Sequence, residues 1–159
     1  MKFRIGYGFD VHQLEKDKPL YLGGINVPSP HGAVGHSDAD VLIHAICDAL
    51  LGAAALGDIG THFPNTSSEF KDINSKFLLA KVMELLNKDS YQVGNVDATV
   101  VLESPKIMPH IPAMKKALAK VMGIAEDCIS IKATTNEQMG YVGRKEGISA
   151  HAVALLEKA

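Results

Sequence analysis

Tryptophan is absent from this chain of 159 residues, and cysteine occurs only twice, at Cys47 and Cys128. Two cysteines with no C-x-x-C are too few for a zinc finger or a disulfide framework, and imply reduced packing thiols in a cytosol. Neither sign of charge prevails: the formal net charge is -2 with His neutral, so nothing marks nucleic acid or an anionic membrane as partner. No apolar run is long enough to span a membrane without interruption by charge, Gly or Pro. Repeats, low-complexity tracts and interdomain linkers are missing, so one domain over 1–159, long enough for a real core, is expected. The absence of G-x-x-x-x-G-K-[ST] excludes a P-loop, and H-E-x-x-H is absent too. Met1-Lys2-Phe3-Arg4 shows no signal peptide, so the expected location is a bacterial cytoplasm rather than a plastid.

What is present begins with Gly6-Tyr7-Gly8-Phe9-Asp10-Val11-His12. Ile5, Tyr7, Phe9 and Val11 alternate with the rest, which reads as a strand. Asp10 and His12 then share one strand face, and Gly6 and Gly8 leave that face bare for a close approach. A carboxylate and an imidazole together are two thirds of an open Zn²⁺ site. An ordinary hydrogen-bonded Asp–His pair would carry the same pattern.

Glu15 to Pro19 reads as a polar turn, Leu20 to Val27 as a hairpin around Gly23-Gly24, and Ser29 to Gly35 as loop. A helix is expected from about Asp40 to about Leu56, capped by Ser37 or Asp38 and ended by Gly57 to Gly60. Leu42, Ile46, Ala49, Leu50 and Ala53 form its apolar face. Asp40, His44 and Asp48 follow at i, i+4 and i+8 on a separate stripe. His44 on that stripe is either solvated or aimed into a line of carboxylates. Thr61 to Asp72 is a polar loop and a candidate lid. Further expectations are helices over Ser75–Lys88 and up to about Met122, and strands over Tyr91–Leu102, Cys128–Thr134 and Ile148–Leu156. In the later helix Ile111, Met114, Leu118 and Val121 face inward. Strands and helices do not alternate strictly, so the expected class is α+β: a mixed sheet with helices packed on one face. The sheet's other face would suit burial against sister subunits.

Lys132-Ala133-Thr134-Thr135-Asn136-Glu137 closes a strand with a cation, two hydroxyls and a carboxylate. Such a run can grip phosphate and hold Mg²⁺ through Glu137; it can equally be a strand end followed by a helix cap.

G-F-D-V-H (8–12), H-S-D-A-D-V-x-x-H (36–44), D-A-L-L-G-A-A-A-L-G-D-I-G (48–60), F-P (63–64), G-N-V-D (94–97), P-K-x-x-P-H-I (105–111), K-A-T-T-x-E (132–137) and G-R-x-E-G-I (143–148) appear in order. The ordered set, spread over nearly the whole chain, resembles the 2-C-methyl-D-erythritol 2,4-cyclodiphosphate synthase family of the non-mevalonate isoprenoid pathway. The resemblance implies a homotrimer with sites between subunits. It also implies conversion of 4-diphosphocytidyl-2-C-methyl-D-erythritol 2-phosphate to the cyclic diphosphate and CMP. Asp10, His12 and His44 match zinc ligands. His36 and Thr135 match residues assigned to transition-state stabilisation. Glu137 matches the ligand of a second ion, Mg²⁺ or Mn²⁺. Asp58, Ile59 and Gly60 match the segment that holds the methylerythritol part of the substrate, with Ser37 beside it, and Phe63 matches a further substrate-binding position. Leu102, Lys106, Ile107 and Met108, with Lys132, Thr134 and Thr135, match the cytidine-diphosphate pocket. Tyr141 and Arg144 match further substrate contacts. A central channel, with Arg144 and Glu146 at its charged end, is expected to suit an isoprenoid diphosphate. Two departures stand out: Asn65 and Ser67 occupy a loop that is often acidic in the family, and Tyr141 replaces a frequent Phe. A zinc phosphohydrolase and a non-catalytic nucleotide-binding module remain the competing readings.

Overall fold

The computed structural model describes residues 2–158. Strand β1 (Phe3–Lys16) is followed by the hairpin β2 (Leu20–Leu22) and β3 (Ile25–Val27), then by β4 (His31–Val34). Helices α1 (Val41–Ala54), α2 (Ile59–His62) and α3 (Ser75–Lys88) precede β5 (Tyr91–Val101). The chain ends with α4 (Ile111–Met122), β6 (Ile129–Thr134), α5 (Gly140–Gly143) and β7 (Gly147–Lys158). Five strands form one sheet in the order β4-β1-β7-β5-β6, and the hairpin stands apart. Only β5 and β6 run parallel, joined through α4; the other neighbours are antiparallel. The architecture is the expected mixed α+β one.

Short helices α2 and α5 fall in stretches read as loop, and the ends of β1, β4 and α1 also differ from the sequence reading. His31–Val34, taken as loop, is an edge strand paired with Gln13–Lys16, so β1 also runs through part of the expected polar turn. Four residues carry too little alternation to announce a strand. Helix α1 is capped by Asp40 rather than Ser37 or Asp38; its carboxylate accepts from Ile43 N–H. The same helix ends at Ala54 with Ala55 left-handed, before Gly57, because Leu56 N–H bonds to the Leu51 carbonyl and Leu56 packs on the core.

Helix α1 is apolar almost all round, which is the pattern of a helix buried on every side. It lies across β1 and β7. A Cβ on Gly6 or Gly8 would collide with the backbone of Ala49 and Ala45, so those glycines are what lets the helix settle on the sheet. Their strand partners Ala154 and Ala152 are also small and buried. Helix α3 packs on α1, and Val96, Ala98 and Val100 of β5 join the same core. In α4, Met114, Leu118, Ala119 and Met122 are buried, and Ile111 and Val121 pack against the same core at its edge. On the opposite side of the sheet Ile5, Tyr7, Phe9, Val11 and Val153 stay exposed, Ile5 at 74%. A row of large apolar side chains on one sheet face, uncovered among the described residues, is the signature of a surface made for burial.

Candidate functional site

Asp10 and His12 point from β1 toward α1, on the face that Gly6 and Gly8 leave open. His44 points from α1 to meet them. The burial of Asp40 explains why it can: its carboxylate takes Gly23, Gly24 and Ile43 N–H and ties the hairpin turn to the start of α1. His44 is therefore not on a solvated stripe; it is 6% exposed, and the stripe's carboxylates serve as struts. Asp48 accepts Ile59 N–H at 2.8 Å and holds the start of α2 at the cavity wall.

The three ligating atoms converge. Asp10 Oδ2 lies 2.9 Å from His12 Nε2 and 3.0 Å from His44 Nδ1, and the two imidazole nitrogens are 3.2 Å apart. A tetrahedral ion with bonds of about 2.0 Å needs donors about 3.3 Å apart, so this triangle fits Zn²⁺ within a few tenths of an ångström. Two imidazoles and one carboxylate are also a donor set that zinc accepts with one position left for a further ligand. Burial opposes ionisation of Asp10, but the hydrogen bond and charge of His12 beside it outweigh that and hold its carboxyl down to about 2. Burial likewise works against charge on His12, yet Asp10 and the Val34 carbonyl raise its pKa. His12 Nδ1–H donates to that carbonyl at 3.0 Å, which turns Nε2 toward the cluster. Thus β4, the strand missed in the sequence, orients a ligand.

The cluster opens into a cavity of about 360 Å³. Of the residues matched to the substrate or to transition-state stabilisation, His36, Ser37, Ile59, Gly60 and Phe63 line it. Asp58 does not: it caps α2 and accepts from Thr61 N–H and O–H. Asn65 and Phe70, from the loop whose polarity alone had marked it as a lid, line the cavity instead, with Ile73 just beyond that loop. His36 Nε2–H donates to the Ser67 carbonyl at 3.1 Å, linking the H-S-D-A-D run to that loop.

A second cavity, of about 420 Å³, lies where β5 and β6 end. Leu102, Lys106, Ile107, Met108, Thr134 and Thr135 line it, as a single pocket for one ligand portion requires. Lys132 stands outside, its ammonium 2.6 Å from Asp97. Glu137 adopts φ 53 and its N–H donates to Thr135 Oγ1, so this run forms a tight turn and not a helix cap; α5 begins later with no side-chain cap. Tyr141 is half-exposed on α5, and Arg144 pairs with Glu146 at 3.0 Å. The registers align Thr134 with Val101, Val101 with Ser149 and Ser149 with Val11. The two cavities therefore share one end of the sheet but sit three strand spacings apart, roughly 14 Å.

The model of the YgbB family matches residues 3–157 of this chain. A 2-C-methyl-D-erythritol 2,4-cyclodiphosphate synthase of Parabacteroides distasonis is 59% identical over 158 residues, 99% of this chain and 98% of the relative. A solved 2C-methyl-D-erythritol-2,4-cyclodiphosphate synthase in a CDP-bound form superposes with TM-score 0.90 at 38% identity, covering 97% of this chain and 100% of that one. The bifunctional IspDF of Campylobacter jejuni superposes with TM-score 0.96 at 38% identity over 99% of this chain, which spans 43% of that longer protein.

Proposed function

The chain belongs to the YgbB family of 2-C-methyl-D-erythritol 2,4-cyclodiphosphate synthases and acts in isoprenoid biosynthesis, and on that premise we propose how its own residues carry the reaction. The substrate is 4-diphosphocytidyl-2-C-methyl-D-erythritol 2-phosphate. An oxygen of its 2-phosphate attacks the β-phosphorus of the diphosphate, the bond to the α-phosphate breaks, and CMP leaves. The nucleophile belongs to the substrate, so the protein needs only to position two anionic groups and stabilise charge. No Ser–His–Asp arrangement is required.

Asp10, His12 and His44 hold Zn²⁺, and Glu137 holds Mg²⁺ or Mn²⁺; the ions supply Lewis-acid charge and a template for phosphate oxygens. His36 and Thr135 approach the reacting phosphates from the two sides. Ile59, Gly60 and Phe63 enclose the methylerythritol, while Leu102, Lys106, Ile107 and Met108 enclose the cytidine. The observation that carries this reading is the triangle of donors at 2.9, 3.0 and 3.2 Å at the mouth of a cavity. We place the working site between two copies in a homotrimer. The bare apolar face of β1 and β7 supports that assembly, and the roughly 14 Å between the half-sites leaves room for a neighbour's half to be the nearer one. Incubation with the cytidyl substrate, Mg²⁺ and Zn²⁺ followed by phosphorus NMR tests the reaction. Cyclic diphosphate with CMP is the expected product; a linear phosphate with inorganic phosphate would reveal a hydrolase.

A further inference from the structure

Asp38 belongs to the H-S-D-A-D run but caps no helix and lines neither half-site. It reaches instead to the first turn of α3. Its Oδ2 accepts Ser75 N–H at 3.0 Å; its Oδ1 accepts Ser75 O–H and, at 3.3 Å, Asp40 N–H. Ser75 is fully buried, and its hydroxyl oxygen lies 2.9 Å from Nε2 of His44. Resting on the metal reading above, we infer that Ser75 and Asp38 are positioning residues that fix the tautomer of His44, so that Nδ1 presents a lone pair to a cation.

The argument is one of proton counting. A carboxylate only accepts, and a serine hydroxyl has one proton to give. Asp38 takes that proton, so Ser75 shows His44 only lone pairs. Nε2 of His44 must then carry hydrogen, and in the neutral ring Nδ1 is bare. The competing pull is local: Asp10 Oδ2, 3.0 Å from Nδ1, favours a proton on the atom that has to bind metal. Ser37 does not settle the contest. Its Oγ lies 3.2 Å from the same Nε2, but its own O–H is free to donate to an unprotonated ring nitrogen. Only the Ser75–Asp38 pair excludes that arrangement. Such outer partners of a ligating imidazole fix its orientation and basicity.

Ser75→Ala removes the hydroxyl and keeps the Ser75 N–H bond to Asp38, so the loop stays anchored. Chelator competition with Zn²⁺ is expected to show an affinity loss of about 10–100-fold. Ser75→Thr, which keeps the hydroxyl, is expected to recover most of it. Long-range proton–nitrogen spectra of the parent should show a slowly exchanging proton on Nε2 of His44, with and without Zn²⁺, that Ser75→Ala loses. A purely structural role would lower the unfolding temperature and leave zinc affinity of the folded protein in place. A bare Nε2 in the metal-free parent overturns the inference, whether or not any variant folds. Zinc binding by Ser75→Ala equal to the parent's overturns it as well. If the parent itself binds no Zn²⁺, the metal reading fails separately, and the ring proton still decides the tautomer.

Discussion

The cavity around Asp10, His12 and His44 and the cavity where β5 and β6 end are finished to different degrees. Around the first, the ligands are held from behind: His12 by the Val34 carbonyl, His44 by Ser37 and Ser75, and the start of α1 by Asp40. Near the second, the charged side chains neutralise one another at the surface, Lys132 with Asp97 and Arg144 with Glu146. A cation site gains from donors locked before the ion arrives. Exposed ion pairs beside a cavity cost little to rearrange, because such pairs contribute roughly 0–1 kcal/mol. The first region is held rigid from behind, whereas the ion pairs beside the second can be rearranged at little cost.

The strongest way to break this contrast is His44→Ala. We expect zinc content and turnover to fall together, by at least about 100-fold in activity, since a ligand is worth more than its outer partners. Metal analysis of the purified variant decides; zinc at parent stoichiometry would show the triangle to be an ordinary polar cluster. Mixing His44→Ala with Thr135→Ala comes next. If sites are shared between copies of a symmetric trimer, equal mixing restores about one quarter of the parent activity. No recovery, despite subunit exchange seen by mass spectrometry, would place both halves in one chain.

Glu137→Gln should spare zinc while shifting the Mg²⁺ titration to higher concentration, because a neutral amide holds a hard cation poorly. An overlaid titration would leave Glu137 as a turn residue. The smallest effect concerns Asp97→Asn. The hydrogen bond from Lys132 holds the Asp97 carboxyl below the ordinary carboxylate range. A depressed pKa contributes stability that is present above the unfolded value and lost as pH falls through the folded one. Asp97→Asn should therefore cost less than about 1 kcal/mol near neutral pH, the ion pair being about half exposed, and the difference should vanish in acid. Chemical denaturation at two pH values measures it. A larger loss would mean that this ion pair is structural and not available for recruitment.

Periodic features were readable one residue at a time. The bounds of α3, the inward row Val96, Ala98 and Val100, and the shared face of Asp10 and His12 follow from alternation or helical spacing that neighbours along the chain already set. The Gly23-Gly24 hairpin follows from local turn chemistry. The candidate ligands were legible too, since residue type and ordered motifs carry them.

Other features depend on partners distant in sequence. Whether His44 faces water or a buried cluster depended on α3 and β1 closing over α1, from more than thirty positions away. Asp40 became the cap because the hairpin turn delivered two more N–H donors to it, and Asp38 was freed to reach Ser75. Asp97 claimed Lys132 because parallel pairing of β5 and β6 sets Thr99 beside Lys132, two residues along from Asp97 on the same strand face. The sequence by itself determined the longer elements, the donor types and the family, because these rest on local spacing and residue chemistry. Only the tertiary structure decided which donors converge and which charges cancel, because hydrogen bonds and ion pairs act across a few ångströms of space that chain order does not encode.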